Sequence, residues 1–94
     1  MGIRDLFRQD KDQIYDKGIH AFKTGNFPLA IEHFSKVVKI DHSDAPAHYN
    51  LAYSYVGTDN YKAAINHFEE YMRLVPDKVD EDLCEYVDIL KQAA

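Results

Sequence analysis

The sequence reads NFPLAIEHFSKVVKI at residues 26–40 and NYKAAINHFEEYMRL at residues 60–74, an offset of 34 residues. At this offset the two stretches share identical or similar residues at many positions. The matching pairs are Asn26 and Asn60, Phe27 and Tyr61, Ala30 and Ala64, Ile31 and Ile65, His33 and His67, Phe34 and Phe68, and Ile40 and Leu74. The same offset pairs Tyr15 with Tyr49, so the similarity extends upstream. In a chain of 94 residues these matches indicate two copies of one unit.

Each copy contains two helical segments separated by a turn. The turn signals are Thr24-Gly25-Asn26 in the first copy and Thr58-Asp59-Asn60 in the second. After each turn, apolar residues recur at the three-to-four spacing of one helical face. Pro28 and Pro46 fall in first helical turns, where a missing N–H costs nothing. We predict five helices and no strand, at residues 8–24, 27–40, 45–57, 61–75 and 79–92.

The apolar faces of these segments also predict the core. The residues expected to be buried are Ala30, Ile31, Phe34, Leu51, Ala64, Ile65 and Phe68. Small residues let the two helices of a copy approach each other, and we assign this role to Gly18 and Ala30 in the first copy and to Ala52 and Ala64 in the second.

A period of 34 residues with two antiparallel helices per unit is that of the tetratricopeptide repeat, and the chain resembles this family. The second copy matches the family pattern at Leu51, Ala52, Tyr55, Tyr61, Ala64, Phe68 and Pro76. Four residues depart from it: Lys17 stands where a leucine is usual, Ala21 where an aromatic is, Asp59 where the turn glycine is, and Tyr71 where a small residue is. The resemblance implies an all-α fold, an α-solenoid in which antiparallel helix-turn-helix repeats stack as a short right-handed superhelix.

In this arrangement the first repeat covers about residues 11–44 and the second about 45–78. The segment at about 79–92 has Val79, Leu83, Tyr86, Val87 and Leu90 on one face and acidic residues opposite. Terminal repeats need such a polar-backed helix to cover their exposed apolar face. We therefore predict a single domain over residues 1–94 that ends in a capping helix. Its register stays open, since Leu83 and Val87 can face either the preceding helix or the groove.

Composition excludes several classes of function. The formal charge is −5, and lysine and arginine occur singly between acids, which argues against a nucleic-acid partner. No apolar run approaches the roughly 18 residues of a membrane span. Cys84 is the one cysteine and has no partner for an internal disulfide, which suits a reducing compartment. We expect a cytoplasmic protein.

The sequence also lacks the patterns of catalysis or metal binding. There is no glycine-rich loop before a helix, and Cys84 has no histidine within helical reach. His33 and His67 occupy equivalent positions in stacked repeats, which lie roughly 10 Å apart and too far to share one ion. We expect no enzyme activity, no catalytic residue, no metal and no cofactor.

The family resemblance implies that the first helix of each repeat lines a concave surface. The residues assigned to partner binding there are Tyr15, Ile19, Phe22, Tyr49, Asn50, Tyr53 and Val56. We name this set the concave face. Most of it is apolar or aromatic, and contiguous exposed apolar strips mark interaction sites. Tyrosine suits such a site because it offers a large area, few rotors and a hydroxyl that tolerates water.

One subset of the family grips the terminal carboxylate of a peptide with lysine and asparagine side chains. Of that set only Asn50 is present, and Tyr15 and Ile19 stand where the first lysine and asparagine are expected. The sequence therefore favours a protein-interaction module for an apolar or amphipathic peptide of unknown identity. Two alternatives remain: residues 1–8 cover the groove, or groove or cap surfaces pair between identical chains as a homo-oligomer.

Overall fold

The computed structural model describes residues 10–94 of the chain. Within them lie five α-helices and one short 3-10 helix, with no strand. The helices are α1 (Lys11–Lys23), α2 (Phe27–Ile40), α3 (Ala45–Gly57), α4 (Tyr61–Leu74) and α5 (Glu81–Ala93), and the 3-10 helix is Pro76–Lys78. Successive helices pack against each other in chain order. The predicted all-α helical-repeat fold is confirmed.

Every α-helix begins with an aspartate or asparagine whose side chain accepts a hydrogen bond from the first turn. The capping residues are Asp10, Asn26, Asp44, Asn60 and Asp80, with donor–acceptor distances of 2.9 to 3.3 Å. Each cap satisfies a backbone N–H that has no partner inside its helix. Pro28 and Pro46 occupy the first turns of α2 and α3, as predicted.

The turns inside the two repeats share one backbone conformation. Gly25 has φ of 79° and its equivalent, Asp59, has φ of 59°. In both turns the N–H of the following asparagine bonds back to the preceding helix, from Asn26 to the Ala21 carbonyl and from Asn60 to the Tyr55 carbonyl, each at 2.9 Å. The second repeat therefore places an aspartate in a left-handed conformation that glycine adopts at lower cost.

The predicted bounds of α2 and α3 are confirmed, and the other three helices differ at their ends. α1 begins at Lys11 instead of residue 8, because Asp10 is extended and caps it, and it ends one residue early. α4 ends at Leu74 instead of residue 75. α5 begins at Glu81 instead of residue 79, because Pro76–Lys78 forms a 3-10 turn and Asp80 is the cap. Predictions about residues 1–8 lie outside the described residues.

The core runs between the two layers of helices and is centred on two phenylalanines. Phe34 and Phe68 are both completely buried, as are Ala30 and Ala64 beside them. Gly18 lets α1 approach α2 closely, because a Cβ at this position would lie 2.7 Å from the Phe34 ring. Leu51 and Ile65 are also buried, as predicted.

The predicted burial of Ile31 is wrong, since this residue is only half-buried. Its equivalent, Ile65, shares a cluster with three apolar residues of α5, namely Leu83, Val87 and Leu90. The cluster beside Ile31 receives one buried residue, Leu51, and the partly buried Tyr55 from the following helix, so Ile31 has less cover. The same contacts settle the register of α5: Leu83 and Val87 face the core formed with α4.

Candidate functional site

All seven residues of the concave face are half-buried, although we expected an exposed strip. The reason is that the tyrosines pack in edge-to-face contacts with the core phenylalanines. Tyr15 lies 5.5 Å from Phe34 between ring centroids, and the equivalent pair in the second repeat, Tyr49 and Phe68, lies 6.0 Å apart. These side chains therefore contribute to the core while they present their outer edges to the surface.

Tyr15 links the two repeats through its hydroxyl. The side-chain amide of Asn50 donates to the Tyr15 oxygen at 2.8 Å and to the Pro46 carbonyl at 2.9 Å. Burial raises the pKa of Tyr15, and the negative charge of Asp44 raises it further. Tyr15 is therefore a neutral phenol at physiological pH, and Asn50 holds it in a fixed position.

Three tyrosines, Tyr49, Tyr53 and Tyr86, contact Phe68, and a fourth, Tyr71, contacts Tyr49. The Tyr53 ring centroid lies 4.9 Å from that of Phe68, 5.0 Å from that of Tyr49 and 5.7 Å from that of Tyr86. Tyr71 lies 4.8 Å from Tyr49. Sequence reasoning omitted Tyr71 and Tyr86 from the site because they lie on α4 and α5. The signal at Tyr71 was its departure from the small residue that the family pattern has there.

Two open clefts lie on this face. The first has a volume of about 320 Å³, and its walls come from α1, α3 and the end of α4. Its lining residues are Tyr15, Ala45, Pro46, Tyr49, Asn50, Tyr71, Val75 and Lys78. The second, of about 300 Å³, lies between α3 and α5 and is lined by Tyr49, Tyr53, Asp80, Asp82, Leu83 and Tyr86. Tyr49 lines both clefts and forms the partition between them.

The structure thus brings together four of the seven predicted residues, namely Tyr15, Tyr49, Asn50 and Tyr53, as cleft walls. The other three line neither cleft. Phe22 lies against Phe27, with ring centroids 5.4 Å apart, and Ile19 and Val56 pack on the two core clusters. These three residues help to hold α1 and α3 in place.

Two tyrosines of the second cleft, Tyr53 and Tyr86, are also neutral. Burial raises the pKa of Tyr53 far above its ordinary value, and Tyr49 and the carboxylate of Asp80 raise it further. Burial likewise raises the pKa of Tyr86. Each hydroxyl therefore keeps its proton and serves as both donor and acceptor.

The histidines lie outside the clefts. The Nδ1 atoms of His48 and His67 are 3.1 Å apart, and Nε2 of His48 lies 3.0 Å from the His42 carbonyl. Nε2 of His48 is thus the donor to that carbonyl, which leaves its Nδ1 to accept from His67. Over residues 10–94, no three histidine, cysteine, aspartate or glutamate side chains are grouped to hold a metal ion.

Comparison with known protein families agrees with this architecture. A family described as TPR repeat matches residues 21–59, and one described as tetratricopeptide repeat matches residues 45–78. Together the matches extend over residues 21–78, and the chain belongs to the tetratricopeptide repeat family. Such repeats are generally protein-interaction modules. No curated protein matches the chain.

None of the helices in residues 10–94 has the length and apolar character needed to cross a membrane.

Proposed function

We propose that the chain is a non-catalytic interaction module whose two clefts bind a peptide or amphipathic helix of another protein. The observation that carries this proposal is the pair of clefts that meet at Tyr49, walled by tyrosines and open to solvent. Tyrosine rings that are already held by Phe34 and Phe68 lose little rotamer freedom when a partner binds. A preformed aromatic surface of this kind suits binding better than a flexible one.

The half-burial of the tyrosines decides which substitutions test the proposal. Replacing Tyr49 and Tyr53 together by alanine removes contacts with Phe68, so we expect the free energy of unfolding to fall by at least about 2 kcal/mol. Loss of binding in that variant would not show whether the tyrosines contact the partner or only keep the chain folded. Tyr49→Phe and Tyr53→Phe keep the rings and remove only the hydroxyls, so they test the surface itself.

A library of random peptides displayed on phage, selected on the full chain, supplies ligands without a known partner. We expect enriched peptides whose affinity falls at least about fivefold in the Tyr49→Phe, Tyr53→Phe double variant, since each of the two buried hydrogen bonds contributes about 0.5–1.5 kcal/mol. Tyr55→Phe is the matched control, because Tyr55 stacks on His67, 5.7 Å away, outside both clefts.

Two results would overturn the proposal. One is that no peptide is enriched, or that the enriched peptides bind the double variant and the wild type equally. The other is that light scattering shows the chain self-associating as concentration rises, with the peptides excluded from the oligomer. The second result favours the homo-oligomeric alternative.

A further inference from the structure

The second cleft combines aromatic walls with acidic groups. Tyr49, Tyr53 and Tyr86 form its walls, and Asp80 and Asp82 stand at its edge at the start of α5. Both aspartates are exposed. Within the lining, all the charged groups are negative, which distinguishes this cleft from the first, where Lys78 is present.

In the part of the chain that the structure describes, neither carboxylate forms an ion pair. Over residues 10–94, the ion pairs of lysine and arginine involve other acids, such as Lys91 with Glu69 at 3.3 Å. Asp80 accepts the backbone N–H of Leu83 at 2.9 Å as the cap of α5, and a carboxylate retains further acceptor sites after one such bond. The cleft therefore presents two carboxylates that are not paired with a lysine or arginine of residues 10–94.

The tyrosine rings also attract a cation, as the carboxylates do. The Tyr53 and Tyr86 planes are inclined by 26°, and Tyr49 crosses Tyr53 at 68°, so the cleft is bounded by rings in two orientations. An aromatic face attracts a cation through its quadrupole. Because the high pKa of Tyr53 and Tyr86 keeps their hydroxyls protonated, the rings stay neutral and their oxygens accept hydrogen bonds from an ammonium or guanidinium group.

From this charge complementarity we propose that the cleft between α3 and α5 takes the arginine or lysine side chain of a bound polypeptide. The side chain's methylenes lie against the tyrosine rings, and its cationic end lies between Asp80 and Asp82. Asp80 and Asp82 would repel a peptide carboxylate at this position. This inference rests on the proposed function, because it specifies one residue of the peptide that the two clefts hold.

The test uses the peptides selected on the wild-type chain and a pair of double variants. Asp80→Asn with Asp82→Asn removes both charges, and asparagine is as good a helix cap as aspartate, so α5 keeps its start. Glu85→Gln with Asp88→Asn removes two charges from exposed positions of α5 that do not line the cleft. The two variants therefore have equal net charge and differ in where the charge was lost.

We expect the selected peptides to share an arginine or lysine at a fixed distance from an apolar residue. Their affinity should fall about tenfold in the Asp80→Asn, Asp82→Asn variant, as expected for losing two ion pairs at the surface. It should change less than about twofold in the Glu85→Gln, Asp88→Asn control. Replacing the shared basic residue of the peptide by glutamine should abolish the difference between the variants.

Four results would overturn the inference. Selected peptides that contain no basic residue, or that bind the Asp80→Asn, Asp82→Asn variant as tightly as the wild type, would remove it and leave the proposed function in place if the tyrosine hydroxyls still matter. Equal losses in both variants would mean that net charge alone attracts the peptide. A wild-type chain that selects no peptide would remove the proposed function as well.

Discussion

His33 and His67 occupy equivalent positions in the two repeats, yet in the described part of the chain only His67 has a hydrogen-bonding partner for its Nδ1. His67 meets His48, whose equivalent in the first repeat is the apolar Ile14. Nδ1 of His33 is buried and has no hydrogen-bond partner among residues 10–94. The 34-residue register therefore explains the difference between the two histidines. The second repeat has an imidazole, His48, beside His67, whereas the first repeat has the apolar Ile14 at the equivalent position.

Leucine at these two positions should have opposite effects. We expect His33→Leu to raise the free energy of unfolding by about 1 kcal/mol, because it removes a buried polar atom without a partner. His67→Leu should lower it by about 1–3 kcal/mol, because Nδ1 of His48 then loses its partner. Urea denaturation of both variants measures the difference, and equal effects would contradict the assignment of the pair.

The left-handed backbone at Asp59 leads to a second prediction for single residues. Asp59→Gly should stabilise the chain by about 0.5–1 kcal/mol, because glycine adopts φ near 60° at lower cost, and the hydrogen bond lost from the Tyr61 hydroxyl lies at the surface. Gly25→Ala makes the converse change and should lower the free energy of unfolding, because it places a side chain on a left-handed backbone. Apart from its two chain neighbours, no described residue has an atom within 4 Å of the added Cβ, so any loss in that variant comes from the backbone conformation. Melting curves that shift the same way in both variants would argue against this account.

At the scale of the helices, the sequence was informative where a turn signal and a cap coincide. Asn26 and Asp44 each end a connecting segment and cap the helix that follows. The bounds of those helices, α2 and α3, were predicted correctly. The start of α5 was misplaced because Val79 matched its apolar stripe, whereas Asp80 provides the cap. Caps at all five helices are a pattern that a search for aspartate or asparagine before each apolar run would have found.

The site was harder to predict than the helices, because burial depends on contacts between distant residues. The repeat register identified Tyr49 and Tyr53 as neighbours on one face, and they do line a cleft. Their half-burial results from Phe68 on the next helix, and the second cleft needs Tyr86 from the helix after that. No periodicity within α3 reveals these contacts, and the open register of α5 kept Tyr86 out of the predicted set.

The crossing of α3 and α4 supplies a test of helix packing. Ala64 is completely buried, and we expect Ala64→Leu to lower stability by roughly 1–3 kcal/mol, since the crossing has no room for a larger side chain. Lys62→Leu, at an exposed position of the same helix, is the control and should change stability little. If thermal melting shows Ala64→Leu as stable as the wild type, the assigned crossing is wrong.

For the whole molecule, the histidine pair predicts how stability depends on pH. Burial lowers the pKa of His67 below its ordinary 6.5, the nearby His48 lowers it further, and the carboxylate of Glu70 opposes them. The folded chain therefore binds this proton more weakly than the unfolded chain. The stability that the neutral His67 imidazole gives the folded chain is therefore fully present above about pH 6.5. It is lost as pH falls through the pKa of His67 in the folded chain.

Urea denaturation at a series of pH values from about 8 to 5 tests this expectation. We expect the free energy of unfolding to decline toward the acidic end in the wild type. The slope should be smaller in His67→Leu, which has no imidazole to protonate at this position. A His42→Asn variant, which alters an exposed histidine but leaves its backbone carbonyl, should keep the wild-type slope.

The packing of each helix on its neighbours in the chain also has a kinetic consequence. The connections at residues 24–26, 41–44 and 58–60 are short, so closing each helix pair costs little chain entropy. Folds whose contacts are local in sequence reach the native state in microseconds to milliseconds, because no distant segments must find each other first. Refolding of this chain should therefore be limited by helix docking, and the second repeat completes its core only when α5 packs on α4.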